Sequence, residues 1–280
     1  MASINPSDLV TISGAYGSRI SLPFVPGYEG VVVVESVSDG VSESKVGQRV
    51  LPLGSSGTWQ DVKVTEKLVT GKESCSSVPS DLTDEQAAMA YINPLTAQKI
   101  VEKYAPKKQD TIVAVNAATS AIGQILIRML NKKGLEPVVL VRRSDAGEQL
   151  MRELDVAAVI CSSEEASLPQ KLYELTRSRG LAVAFNAVGG SEGDDLVRTL
   201  SPKGVLVHNR LLSGRALSYE LLKECPWARI ELFRLRDWAR VKGHDEVQSA
   251  LDEIFEMIRD GTVATKVAGV CIAYQSPDRD

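Results

Sequence analysis

The chain has 280 residues, a formal net charge of −4 and the composition of a soluble globular protein. This length allows two lobes that each bury a core, and the slightly negative charge excludes the basic surface field that binds nucleic acid. Aliphatic runs such as residues 31–34 are far too short to span a membrane, and no signal peptide precedes the first predicted element, so we expect a cytoplasmic protein.

Turn-forming glycines and prolines divide residues 1–80 into short segments, which predicts a β-rich region. Its clearest strands are residues 31–37 and 49–53. The sequence contains no internal repeat and no low-complexity segment that would indicate a different architecture.

Two helices are predicted after this region. Thr83 and Gln86 form a capping box, which begins a helix that runs through residue 91. Asn93-Pro94 is predicted to break it, and a second helix covers about residues 96–104.

Strand-like and helix-like segments alternate from residue 112 onward. The predicted strands are residues 112–115, 137–141, 157–161, 182–187 and 204–208, with 230–233 as a candidate sixth. The predicted helices are residues 122–133, 165–179, 194–200 and 245–259. This alternation predicts a doubly wound parallel sheet.

The turn after the first of these strands resembles a dinucleotide-binding fingerprint. Where G-x-G-x-x-G is typical, this chain has Ala118-x-Ser120-x-x-Gly123. The small residues let the backbone approach a pyrophosphate, the helix N-terminus points at it, and the Ser120 hydroxyl adds a candidate phosphate contact. From this turn alone, an ordinary α/β crossover without a nucleotide remains the alternative.

The end of the second strand indicates which dinucleotide is bound. An NAD site usually has an acidic residue there, whereas this chain has Arg142-Arg143-Ser144. Arginine binds phosphate through two parallel hydrogen bonds, so this segment favours the 2′-phosphate of NADP(H). A solvated basic turn is the alternative.

The cysteines and histidines do not form a metal-binding pattern. The four cysteines are widely scattered without a Cys-x-x-Cys pair, and the two histidines, His208 and His244, are isolated. We therefore expect free thiols and no metal site.

An ordered set of motifs resembles the medium-chain dehydrogenase/reductase superfamily over nearly the whole chain. The motifs are I-N-P-S-D at 4–8, P-G-Y-E-G at 26–30, V-G-Q-R-V at 46–50, G-T-W at 57–59, I-N-P-L-T-A at 92–97 and N-A-A-T-S-A-I-G at 116–123. The last two are most similar to zinc-independent trans-2-enoyl-thioester reductases of the mitochondrial type. Tyr28 stands where the zinc-dependent members have a ligand histidine, which again implies no metal.

The resemblance implies an α/β fold, with a Rossmann-type NADP-binding domain over residues 93–261. A mostly β, GroES-like substrate domain is expected over residues 1–92 with 262–280. This second domain is shorter than in the family at both ends. Removing strands exposes apolar surface, so we expect a homodimer or another protein to cover it.

The resemblance also implies the site residues. Tyr16 is expected to donate the proton or to hydrogen-bond the enolate oxygen, because a phenol stays protonated at neutral pH. Trp238 is expected beside the substrate. A surface role for Tyr16 and plain packing for Trp238 are the alternatives. The predicted cofactor contacts are Asn93, Thr96, Asn116, Ser120, Ala121, Ile122, Arg142, Arg143, Val188, Gly189, Leu211, Leu212, Phe233 and Leu235.

Three functions are compatible with these residues. The first is NADPH-dependent reduction of an activated carbon–carbon double bond, with a trans-2-enoyl thioester as substrate. The second is reduction of a quinone or conjugated ketone. The third is a repurposed NADPH-binding protein without reductase activity, which the shortened lobe favours.

Overall fold

A computed structural model describes residues 1–14, 20–39, 46–54, 57–64, 74–107, 111–267 and 269–270. The first lobe contains an antiparallel sheet in the order β1-β2-β3, made of β1 (Val32–Val33), β2 (Arg49–Leu53) and β3 (Ser74–Ser77). The bounds predicted for β2 are confirmed. The strand predicted at residues 31–37 is too long, since only Val32–Val33 pairs with a neighbouring strand.

A short helix, α1 (Pro6–Ile12), precedes this sheet where only β structure was expected. Pro6 stands at the first helical position, where a missing N–H costs nothing, and the backbone N–H of Asn5 donates to Oδ2 of Asp8 at 2.7 Å. The residues that start this helix were therefore visible in the sequence, but the many glycines and prolines around them led to the prediction of β structure.

Two helices lead out of the first lobe, α2 (Asp84–Ala88) and α3 (Ile92–Tyr104). The capping box is confirmed, since the side chains of Thr83 and Gln86 each accept from the other's backbone N–H, at 3.2 and 2.9 Å. The break predicted at Asn93-Pro94 is wrong. Both residues lie in the first turn of α3, where proline is tolerated because that turn needs no backbone donor.

The second lobe is built on a parallel sheet of six described strands. They are β4 (Val113–Val115), β5 (Val138–Val141), β6 (Ala158–Cys161), β7 (Leu181–Asn186), β8 (Leu200–His208) and β9 (Arg229–Leu232). Their order in the sheet is β6-β5-β4-β7-β8-β9, so the chain runs from the centre to one edge and then from the centre to the other. This is the predicted doubly wound sheet, and its direction of winding reverses between β4 and β7.

Helices cover both faces of this sheet. They are α4 (Ala121–Lys132), α5 (Ser144–Glu153), α6 (Leu168–Leu175), α7 (Gly190–Arg198), α8 (Leu221–Glu224), α9 (Leu235–Val241) and α10 (His244–Arg259). The predicted bounds hold closely for α4 and α10, whereas the helix predicted at 165–179 is shorter and the one at 194–200 begins four residues earlier. No prediction covered α5, because its buried face carries Gly147, which packs closely on Val159 and contributes no apolar periodicity.

Alternate residues of the parallel strands point to opposite faces, and each face carries its own hydrophobic cluster. The larger cluster lies under α3, α4 and α10 and includes Val115 and Phe185, while the other lies under α6 and α7 and includes Ala114 and Ala184. The larger cluster also contains Leu51 of the first lobe, so the two lobes share one core.

Polar contacts from α10 reinforce this junction. The backbone N–H of Ser77 donates to Oε1 of Gln248 at 2.9 Å, and Arg259 donates to both carboxylate oxygens of Asp81 at 2.7 and 2.9 Å. Within the described ranges, no helix combines the length and apolar character that a membrane crossing requires.

Candidate active site

Two buried asparagines connect the carboxyl ends of β4 and β7. Nδ2 of Asn116 donates to Oδ1 of Asn186 at 2.8 Å, and Oδ1 of Asn116 accepts from the backbone N–H of Ala187 at 2.7 Å. These strands lie on either side of the reversal in winding, where open α/β sheets bind ligands. The asparagine pair therefore joins the two strand ends at the expected ligand crevice.

The turn between β4 and α4 brings the backbone close to itself. Ala117 has a positive φ of 47°, and Ser120 caps α4 by accepting from the N–H of Gly123 at 3.1 Å. A Cβ on Gly123 would lie 2.5 Å from the carbonyl oxygen of Ala117, so only glycine fits there. The first N–H groups of α4, at Ala121 and Ile122, have no acceptor within the helix, and helix N-termini of this kind can donate to an anion.

A second turn, residues 187–190, follows β7 and is held by the same amide. Oδ1 of Asn186 accepts from the backbone N–H groups of Val188 and Gly189 at 3.1 and 3.0 Å. Gly189 has a positive φ of 75°, and a Cβ there would lie 2.6 Å from Cδ1 of Leu211. The N–H of Leu212 donates to the carbonyl of Ala187 at 2.9 Å, so this turn and the loop after β8 form one surface.

His208, the last residue of β8, completes this network. Nδ2 of Asn186 lies 3.1 Å from Nδ1 of His208. Since Oδ1 of Asn186 is occupied by N–H donors, its Nδ2 must donate to His208, and the neutral imidazole carries its hydrogen on Nε2. Burial lowers the pKa of His208 below its usual range, which keeps the ring neutral at physiological pH.

A second polar network joins the lobes. The buried carboxylate of Glu29 accepts from Oγ of Ser3 at 2.9 Å, from Nδ2 of Asn5 at 2.8 Å and from the backbone N–H of Ile92 at 2.6 Å. Burial raises the pKa of Glu29, and these hydrogen bonds, together with the charge of Arg210, oppose the rise.

Arg210 and Asn93 extend this network towards the carboxyl edge of the sheet. Nη2 of Arg210 donates to Oδ1 of Asn93 at 2.5 Å. Nδ2 of Asn93 donates to Oδ1 of Asn5 at 3.4 Å. Sequence reasoning missed Arg210, because a residue that follows a strand has no periodicity to mark it.

The comparisons with known proteins agree with this geometry. A family model described as an alcohol dehydrogenase GroES-like domain matches residues 1–84, and one described as a zinc-binding dehydrogenase matches residues 121–216. A Bacillus thuringiensis structure, provisionally described as an NADPH:quinone reductase, is 32% identical, covers 93% of this chain and 77% of its own, and superposes with a TM-score of 0.82.

The chain belongs to the medium-chain dehydrogenase/reductase superfamily.

Other relatives within the superfamily carry two kinds of name. The mitochondrial enoyl-[acyl-carrier-protein] reductase of Dictyostelium discoideum is 28% identical over 264 residues, which are 92% of this chain and 74% of the relative. The Escherichia coli quinone oxidoreductase, solved in complex with NADPH, is 24% identical, covers 95% of this chain and 80% of its own, and has a TM-score of 0.82. At that identity the likeness shows the fold alone.

Tyr28 is the residue expected at the position of a superfamily zinc ligand. Its hydroxyl lies 3.0 Å from Oγ1 of Thr11 and is used in packing α1. Among the residues whose placement is described, no group of three or more histidine, cysteine, aspartate or glutamate side chains could hold a metal ion.

The structure brings many of the predicted site residues to the carboxyl edge of the parallel sheet. The residues at the carboxyl edge of the sheet or in the turns and helix starts that follow it are Asn116, Ser120, Ala121, Ile122, Val188, Gly189, Leu211, Leu212, Phe233 and Leu235. Asn93 and Thr96 are buried in α3, and Arg210 links Asn93 to this edge. Their contacts with a cofactor stay predictions.

The remaining predicted residues differ in how they are placed. Arg142 and Arg143 follow β5 with exposed side chains, and Nη2 of Arg143 lies 3.0 Å from Oδ2 of Asp145. Trp238 lies on α9 with its ring centre 5.3 Å from Nζ of Lys99, beside the middle of α3. Tyr16 lies outside the described residues. The roles of these residues stay predictions.

Gly123→Ala should lower the free energy of unfolding by about 1–3 kcal/mol, because the new Cβ overlaps the turn at Ala117. Urea unfolding would measure the loss. Gly269→Ala is the control, since Gly269 is exposed, lies outside any helix, and a Cβ there meets no atom of the described residues within 4 Å. Equal stability of the two variants would contradict the close packing of the turn.

The stability of the protein should fall as pH decreases below about 6.5, in part through His208. Its folded-state pKa is depressed, so the unfolded chain takes up a proton first and acid favours unfolding. His208→Gln keeps an acceptor for Asn186 but does not titrate, so its unfolding free energy should fall less steeply between about pH 6.5 and 5. Parallel curves for the two proteins would contradict this assignment.

Proposed function

We propose that this chain uses NADPH to reduce an activated carbon–carbon double bond, with a trans-2-enoyl thioester as the favoured substrate. The observation that carries this proposal is the close turn at Gly123, which leaves the N-terminus of α4 open to a pyrophosphate beside the reversal of the sheet. Relatives that are named enoyl-[acyl-carrier-protein] reductases and align with more than nine tenths of the chain support the substrate class.

The residues present fit a dinucleotide. Gly123 and Gly189 remove the Cβ atoms that would fill the two turns, and both amide atoms of the Asn209 side chain are buried without a hydrogen-bond partner among the described residues. When bound, NADPH supplies the hydride. The protein binds its pyrophosphate at Ala121 and Ile122, and the 187–190 turn orients the nicotinamide end.

Proton delivery is proposed for Tyr16. A phenol with a pKa of about 10 remains protonated at neutral pH and can protonate the α-carbon. We propose Trp238 as a substrate-side contact. The cation–π contact of its ring with Lys99 favours the alternative, a structural role.

A quinone or conjugated ketone is the second candidate substrate. The similarity to the Bacillus thuringiensis structure, at 32% identity, favours it. Both candidates share the hydride transfer and differ in the acceptor.

We also propose that a second copy of the chain covers apolar surface of the first lobe. Leu9, Val33 and Val64 are 58%, 56% and 86% exposed there. A monodisperse monomer at micromolar concentration in light scattering would exclude this homodimer. The cytoplasmic location stays a prediction. The alternative is a mitochondrial location, which the name of the Dictyostelium discoideum relative suggests.

The first experiment adds NADPH to the purified full chain and follows its fluorescence, then adds a short trans-2-enoyl thioester and follows absorbance. Binding followed by oxidation is the expected result. Oxidation only with quinones would select the second candidate. Binding without oxidation by either class would indicate a repurposed NADPH-binding protein.

The Arg142→Ala, Arg143→Ala double variant should weaken NADPH binding by roughly 10- to 100-fold and change NADH binding little, because only NADPH carries the 2′-phosphate. Fluorescence titration would measure both dissociation constants. The exposed Arg152, changed to alanine, is the control for loss of surface charge. Equal losses for NADPH and NADH would contradict the 2′-phosphate site.

A further inference from the structure

Arg210 is a half-buried cation at the carboxyl edge of the sheet, two residues beyond the end of β8. Its Nη2 donates to Oδ1 of Asn93, and within the described part of the chain no other hydrogen-bond partner is present for its side chain. A guanidinium carries several N–H donors and no acceptor. Its other nitrogens are not among the buried atoms without partners, so they are accessible from the solvent side.

Neutralisation of Glu29 does not account for this arrangement. The Glu29 carboxylate already accepts from Ser3, Asn5 and the backbone of Ile92, and no hydrogen bond joins it to Arg210. The two groups attract each other through space only. A partly desolvated cation with unused donors is stabilised when an oxygen with negative charge binds to it.

The neighbours of Arg210 place it beside the proposed reaction site. Leu211, the next residue, contacts the position where Gly189 would carry a Cβ. Asn209, the preceding residue, has its amide atoms buried without a partner among the described residues. The segment 208–211 therefore presents polar groups at the edge where the proposed function puts the nicotinamide end of NADPH.

We propose that Arg210 binds the oxygen that is conjugated to the reacting double bond, and that it thereby selects substrates whose double bond is conjugated to a carbonyl group. This inference rests on the proposed function. The hydride from NADPH forms a C–H bond at the β-carbon, and the π electrons of the double bond move towards the carbonyl oxygen, which becomes an enolate. Arg210 donates a hydrogen bond to that oxygen. A proton from the acid of the proposed function then adds to the α-carbon and restores the carbonyl, so the substrate gains one hydride and one proton and NADPH is oxidised to NADP⁺.

Such a donor stabilises charge that exists only after hydride transfer begins. Loss of one oxyanion donor typically lowers turnover by about 100- to 1,000-fold. A carboxylate in place of the thioester carries this charge in the ground state, so it should bind to Arg210 without reaction. The small acid trans-2-butenoate is therefore a suitable probe.

The test uses the full chain saturated with NADP⁺ and measures binding of trans-2-butenoate by calorimetry. Arg210→Met should weaken this binding at least tenfold, while Arg210→Lys, which keeps the charge, should recover part of it. The control is Arg236→Met on α9, whose side chain is exposed and lies 3.5 Å from Asp237, and it should bind butenoate like the unchanged protein. NADPH affinity should stay within about twofold in all three variants, and turnover with an enoyl thioester should fall about 100-fold in Arg210→Met.

Two results would overturn the proposal. The first is butenoate binding and thioester turnover within twofold of the unchanged protein in Arg210→Met. The second is an equal loss of butenoate binding, NADPH affinity and thermal stability in both Arg210 variants, which would assign Arg210 to the junction of the lobes. Butenoate binding that depends on Arg210 in a protein that oxidises no NADPH would support the anion site and defeat the proposed reductase function.

Discussion

The side-chain amide of Asn186 is the interaction on which the candidate site depends. Its Oδ1 accepts from Asn116 across the sheet and from the two N–H groups of Val188 and Gly189, and its Nδ2 faces His208. One residue therefore connects the ends of three strands and shapes the turn beside them. A buried amide with this many hydrogen bonds is held in one orientation, because rotation would leave several groups without partners.

Local patterns in the sequence predicted the parallel sheet well. β4 and β5 are short apolar runs, and α4 and α10 have a regular apolar face, so β4, α4 and α10 were located close to their true bounds. The predicted elements were wrong where close packing, and not a periodic apolar pattern, determines the local structure. Gly147 lets α5 lie against Val159 without a large side chain, and Pro94 lies in a helix turn that tolerates proline.

In the candidate active site, too, local sequence patterns were predictive and contacts between distant residues were not. The turn from Asn116 to Gly123 was predicted because its residues are neighbours in the chain. Contacts between distant residues leave no such signal, since Arg210 meets Asn93 across 117 positions and Asn116 meets Asn186 across 70. The P-G-Y-E-G motif pointed to the superfamily, but only the fold shows that its glutamate lies buried between the lobes and accepts the backbone N–H of Ile92.

The shared core restricts how substrate can enter. Leu51 and Leu82 of the first lobe belong to the same hydrophobic cluster as Ile254 of α10, and Arg259 holds Asp81 beside them. A hinge rotation that separated the lobes would bring this apolar surface into water, at a cost of several kcal/mol. It would also break the contact between Arg259 and Asp81. The two lobes are therefore expected to keep nearly the same separation throughout a reaction cycle.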